Sequence, residues 1–156
     1  MANSIELNSK KLLVNRLLKT DEEIVAFEEA MQFIAERENV DDIRLLCQAF
    51  DDDTEEYEVM FGLVHTLESY DKVVSSEIAT TAFVKAIPVM PGKADEWLEV
   101  LLIRILNDDS SRTVFAQVLG EIEKTTRAQV LKVLKKVAEE DPDEFSEKVD
   151  DVVRNM

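Results

Sequence analysis

Glycine and proline are scarce, three of each in 156 residues, and cysteine and histidine occur once each. So few turn-formers exclude a β-sandwich or barrel, which would need many tight turns. The single Cys47 cannot form an internal disulfide, and within Leu45-Leu46-Cys47 it reads as a small core residue. With only His65, no histidine pair exists to hold a metal, and no Cys–His pair follows from the spacing. His65 lies one turn after Phe61 and next to the core position Val64, so it reads as a boundary or core residue. Gly62, Gly92 and Gly120 are too dispersed for a phosphate-cradling loop. No apolar run approaches the ~18 residues of a spanning helix. The start, Met1 to Glu6, shows no basic stretch followed by an apolar one, and position 2 is alanine, so neither a secretory signal nor myristoylation is expected. These absences predict a soluble cytoplasmic protein without cofactor or metal.

Positive charge is also in short supply, and its distribution is uneven. The net charge is -16. Residues 1–19 carry four basic side chains and one acidic, whereas residues 20–71 carry 17 acidic and only two basic ones, Arg37 and Arg44. Residues 72–156 are nearly balanced, with 16 acidic and 12 basic. Nucleic acid and anionic membranes are excluded as partners, because both need the opposite sign. A one-sided field of this kind either keeps the surface solvated or speeds encounter with a basic protein.

Hydrophobic residues make up 46% of the chain, which is ample for one globular domain over 1–156. Their spacing predicts an all-α fold of about nine helices joined by short loops. Leu7, Leu12, Val14, Leu17 and Leu18 outline a first helix. Thr20 and Glu23 form a capping box before Ile24, Phe27, Ala30, Met31 and Ile34, which recur at helical steps. Asp53 and Glu56 can form a second capping box before Met60, Leu63, Val64 and Leu67. Ile78, Ala82, Phe83 and Ile87 face inward on a fifth helix. Trp97 begins a sixth, where it serves as core or as a packing anchor. Asp141-Pro142-Asp143-Glu144 starts the last.

Internal matches accompany this pattern. A shift of 33 residues superimposes Phe27, Ala30 and Ile34 on Met60, Leu63 and Leu67, and a shift of 56 superimposes Leu45-Leu46 on Leu101-Leu102. Stacked antiparallel helix hairpins, a short HEAT-like α-solenoid, are the architecture this implies. Equivalent turns at 19–21, 51–54 and 107–110 would then line one edge of the stack.

Catalysis has no visible candidate. Asp51-Asp52-Asp53 invites a calcium-loop reading, but the sixth and twelfth positions hold Glu56 and Gly62 instead of Gly and Glu. Gly62 inside its helix either permits close helix approach or is tolerated at roughly 1 kcal/mol. What remains is a surface. Asp51, Asp52, Asp53, Glu55, Glu56, Tyr57 and Glu58, with Glu22, Glu28 and Glu29, form a candidate docking site for a basic protein. Tyr57 would be its rigid aromatic anchor, although core packing explains it equally well.

The segments Tyr57-Glu58-Val59-Met60-Phe61-Gly62-Leu63-Val64-His65-Thr66-Leu67-Glu68-Ser69 and Trp97-Leu98-Glu99-Val100-Leu101-Leu102-Ile103-Arg104-Ile105-Leu106-Asn107 resemble bacterial immunity proteins of the immunity-30 family. The order of acidic helix, these two segments and a charged C-terminal hairpin extends the likeness over most of the chain. The resemblance implies an antidote of a polymorphic toxin system, which protects its own cell by binding a cognate toxin. Several toxin classes, nucleases among them, carry basic clefts that an acidic surface would steer toward and block. It implies no catalytic residues and assigns no interface. A helical-repeat adaptor or scaffold, and an acidic secretion chaperone, remain open as other readings. The oligomeric state is not legible.

Overall fold

A computed structural model describes residues 2–156, with side chains from Ser4 onward. The described residues form nine α-helices and no strand: α1 (Ala2–Val14), α2 (Asp21–Glu36), α3 (Ile43–Cys47), α4 (Tyr57–Glu68), α5 (Ser76–Ala86), α6 (Asp95–Leu106), α7 (Asp109–Glu121), α8 (Lys124–Glu140) and α9 (Pro142–Asn155). Short 3-10 turns connect several of them. The all-α expectation holds. None of the helices is long and apolar enough to cross a membrane.

Local chemistry explains most helix boundaries. Thr20 accepts from the Glu23 amide at 3.1 Å while Glu23 accepts from the Thr20 amide at 3.0 Å, so the first capping box forms as expected. With so few glycines, two left-handed positions fall to bulkier residues, Leu18 (φ 54) and Glu38 (φ 51). A non-glycine residue there costs roughly 1–2 kcal/mol, which the burial of Leu18 offsets. The second capping box does not form. Asp53 donates its amide to Asp51, Glu56 donates its own to the Thr54 hydroxyl, and the helix starts only at Tyr57. The turn is drawn inward by Asp51 and Thr54, which moves the helix start beyond Asp53.

One cluster of buried side chains runs from Leu12 in α1 to Val152 in α9. Leu7, Val14 and Ile78 are exposed instead of inward, because α1 and α5 each present only a narrow stripe to their neighbours. His65 is at the surface, in a T-shaped contact with the Phe61 ring. An ideal Cβ at Gly62 would meet only the Met31 methyl, at 3.6 Å, so close helix approach does not require glycine there. Cys47 is fully buried, and burial pushes its thiol up to about 12, as fits a core residue and not a nucleophile.

Helices α2, α4 and α6 run side by side in the same direction. At their starts, Thr54 donates to the Leu17 carbonyl and Asp52 accepts from the Glu96 and Trp97 amides. Near their ends, Glu68 grips Arg104, and Tyr70 lies beside Arg37 and Asp42. Helix α3 packs on α5, α5 on α7 and α7 on α9. The last hairpin breaks the parallel order. Lys136, late in α8, pairs with Glu99, early in α6, and Phe145 shares a crevice with Val100 and Ile103. Helix α8 therefore runs against α6, where a regular stack would set the two parallel.

The repeat matches divide accordingly. The 33-residue shift pairs α2 with α4, which do pack in parallel. The 56-residue shift pairs α3 with α6, but two helices, α4 and α5, lie between them, where α2 alone separates α1 from α3. That extra helix reverses the direction, so the 107–110 turn lies at the opposite end from 51–54, beside Glu68 and Asp71.

Tyr70 is fully buried, and its hydroxyl has no hydrogen-bond partner among the described residues. Arg37 and Asp42 beside it pair with each other at 2.8 Å. An unsatisfied buried hydroxyl costs roughly 1–3 kcal/mol, so Tyr70→Phe is expected to raise the urea midpoint of unfolding. A lowered midpoint would mean that the hydroxyl makes a stabilising bond.

Candidate partner-binding surface

Three parallel helix starts build the surface. The positive ends of α2, α4 and α6 lie along one edge of the molecule, and each collects carboxylates that its dipole stabilises. Asp21 and Glu22 stand in the first turn of α2, Glu55, Glu56 and Glu58 flank the start of α4, and Asp95 and Glu96 occupy the first turn of α6; all seven are exposed. Among them Tyr57 is 59% exposed, so the docking option for this residue survives and core packing does not. A large aromatic left half in water within a carboxylate field is the feature least explained by folding.

The residues expected to share this surface play unequal parts. Asp51 is 2% exposed, pairs with Arg16 at 3.1 Å and accepts from the Asp53 amide, so it ties the turn to the end of α1 and offers nothing to a partner. Asp52 accepts two amides at the start of α6, both at 3.2 Å. Burial holds its carboxyl above the usual range, and those two amide bonds oppose that shift. Asp53 is exposed and held by Lys93 at 2.8 Å, a pair whose exposure to solvent makes it weak and displaceable. Glu29 is exposed and pairs with Lys11 of α1 at 3.0 Å. With Glu22 it borders a shallow apolar groove over Val25 and Ala26, on the α1 side of α2. Glu28 is exposed on the same helix.

The fold therefore brings Glu22, Glu55, Glu56, Tyr57 and Glu58 to one edge and takes Asp51 and most of Asp52 into the scaffold. Sequence reasoning missed Asp95, Glu96 and Lys93, which join the edge where Asp52 reaches 44 and 45 residues ahead to cap α6 and Trp97 packs on Phe50 and Phe61. A carboxylate run followed by an uncapped acidic helix start was the only signal available. Among the described residues, no group of three or more His, Cys, Asp or Glu is placed to hold a metal ion. The arrangement can attract and bind cationic groups, and it can pack an aromatic ring against a partner.

The family model for immunity protein 30 matches residues 14–115, from the end of α1 into α7. No curated protein and no solved structure matches the chain. The matched stretch is well over half of the 156 residues and contains the whole acidic edge, and the chain belongs to the immunity protein 30 family.

Proposed function

We propose that this immunity protein neutralises a cognate bacterial toxin by binding a basic surface on it with the edge formed by the starts of α2, α4 and α6. The observation that carries the reading is the exposed Tyr57 ring set among Glu55, Glu56 and Glu58, with Glu22 and Asp95 to either side. Aromatic anchors ringed by charge are typical of binding hot spots, where the ring supplies affinity and the charges supply steering. Dense negative charge also suits the occlusion of a cleft that binds phosphates, which makes a nuclease toxin the best fit.

The experiment is affinity capture of the tagged protein from its own cells at low and high salt, followed by co-expression of whatever toxin is bound. Survival of cells expressing the captured toxin only when this protein is present would support the reading. Capture of a housekeeping complex with no toxic component would favour an adaptor instead.

A further inference from the structure

At the end of the molecule away from the acidic edge, a groove of about 500 Å³ opens between the ends of α4 and α6 and the flanks of α5 and α7. That volume lies within the roughly 300–1,000 Å³ usual for ligand pockets. Its floor is apolar: Leu67, Phe83 and Leu101 are core residues that each keep 5–9% exposure here, and Ile105 is half-buried beside them. Its rim is acidic. Glu68 is occupied by Arg104 through two bonds of 2.8 Å. Asp71 is exposed and has no ion pair or side-chain hydrogen bond among the described residues. Asp108, also exposed, caps α7 by accepting from the Ser111 amide at 2.9 Å and bonds the Ser111 side chain, both of which hold its carboxyl below the usual range. Arg112, whose charge also reaches Asp108, is committed to Asp109 and Asp151.

We propose that this groove seats a cationic side chain, an arginine or lysine, projecting from the bound protein. The apolar floor takes the aliphatic stem of such a side chain, and Asp71 and Asp108 take its charged head. An acidic side chain would add negative charge to an already acidic rim, and a neutral one would leave Asp71 without a counter-charge. Burial and the charges of Glu68 and Asp108 already hold the Asp71 carboxyl above its usual range, so an arriving cation relieves an existing repulsion. The proposal rests on the reading that the chain binds a basic protein, and it makes the recognition two-sided: an acidic edge at one end and a cation-accepting groove at the other.

The test does not need the toxin. Titrating 15N-labelled protein with Nα-acetyl-arginine methylamide is expected to shift the amides of Asp71, Arg104, Asp108 and Ser111. Its neutral citrulline analogue is expected to leave them in place. The double variant Asp71→Asn/Asp108→Asn keeps a competent helix cap at position 108 and should abolish the shifts while the protein stays folded in a thermal scan. Equal shifts with citrulline, or shifts spread over every acidic helix start, would overturn the proposal. A captured toxin adds a second reading: the double variant should bind it about tenfold or more weakly, as expected when one side of a partly desolvated charge pair is lost. Unchanged affinity there would sink the groove while leaving the antidote reading standing. A failed capture would count against the antidote alone, since the arginine titration judges the groove without it.

Discussion

Replacing Trp97 by alanine is expected to remove about 3–5 kcal/mol of stability, the usual range for a large aromatic taken from a core. Trp97 is 5% exposed at the start of α6 and packs edge-on against Phe61 of α4 with ring centres 5.1 Å apart. Phe50, ahead of the acidic turn, lies 5.9 Å from it on another side. The indole thus joins three segments that have no covalent reason to meet. Its own amide donates to Asp52, which couples the ring to the turn carrying the carboxylates. A domain of this kind has about 5–15 kcal/mol in hand, so the variant should be substantially unfolded near physiological temperature. Circular dichroism in urea measures the loss directly, and Trp97→Phe should recover most of it by refilling the volume. A loss below about 1 kcal/mol would mean that the cluster is loosely packed and that α6 is held elsewhere.

The contrast between what was legible and what was not follows the range of the interactions. Thr20 and Glu23 are three residues apart, and their reciprocal bonds need nothing beyond the helix they start. The stripe of Phe27, Ala30 and Ile34 was readable for the same reason, since helical spacing puts them on one face, and all three are fully buried. Asp51 shows the limit. Nothing in an acidic run distinguishes its first member from the rest; Arg16, 35 residues earlier, takes it out of solvent. Asp52 is diverted by the start of α6 in the same way. Leu7 and Val14 fit an apolar stripe yet stay exposed, because periodicity gives the face of a helix but not how much of that face a neighbour covers. Of the three turns expected along one edge, 19–21 and 51–54 lie together, and 107–110 misses it on parity alone. One additional helix, α5, has an ordinary amphipathic sequence, yet its insertion sends the next turn to the opposite end. Direction is a property of the whole chain order, and no local window contains it.

Because folding consumes Asp51 and Asp52, the charge test of the interface belongs on the carboxylates that folding leaves free. The variant Glu22→Gln/Glu55→Gln/Glu56→Gln/Glu58→Gln removes four exposed charges while preserving side-chain length. Each loses about 0.3–1 kcal/mol of helix-dipole stabilisation at most, so the fold should persist, as a thermal scan will confirm. Association with the captured toxin at low salt is expected to slow by about tenfold or more, within the roughly 10–10³ range of electrostatic steering. The difference should shrink as the Debye length falls from about 10 Å at 0.1 M salt to about 3 Å at 1 M. Tyr57→Ala should act on the other rate. An anchoring ring contributes after encounter, so its loss should raise the dissociation rate by an amount equivalent to about 2 kcal/mol or more and leave the salt dependence unchanged. The two variants therefore separate steering from anchoring on a single surface. An unchanged association rate in the first, together with an unchanged dissociation rate in the second, would place the toxin on another face of the molecule.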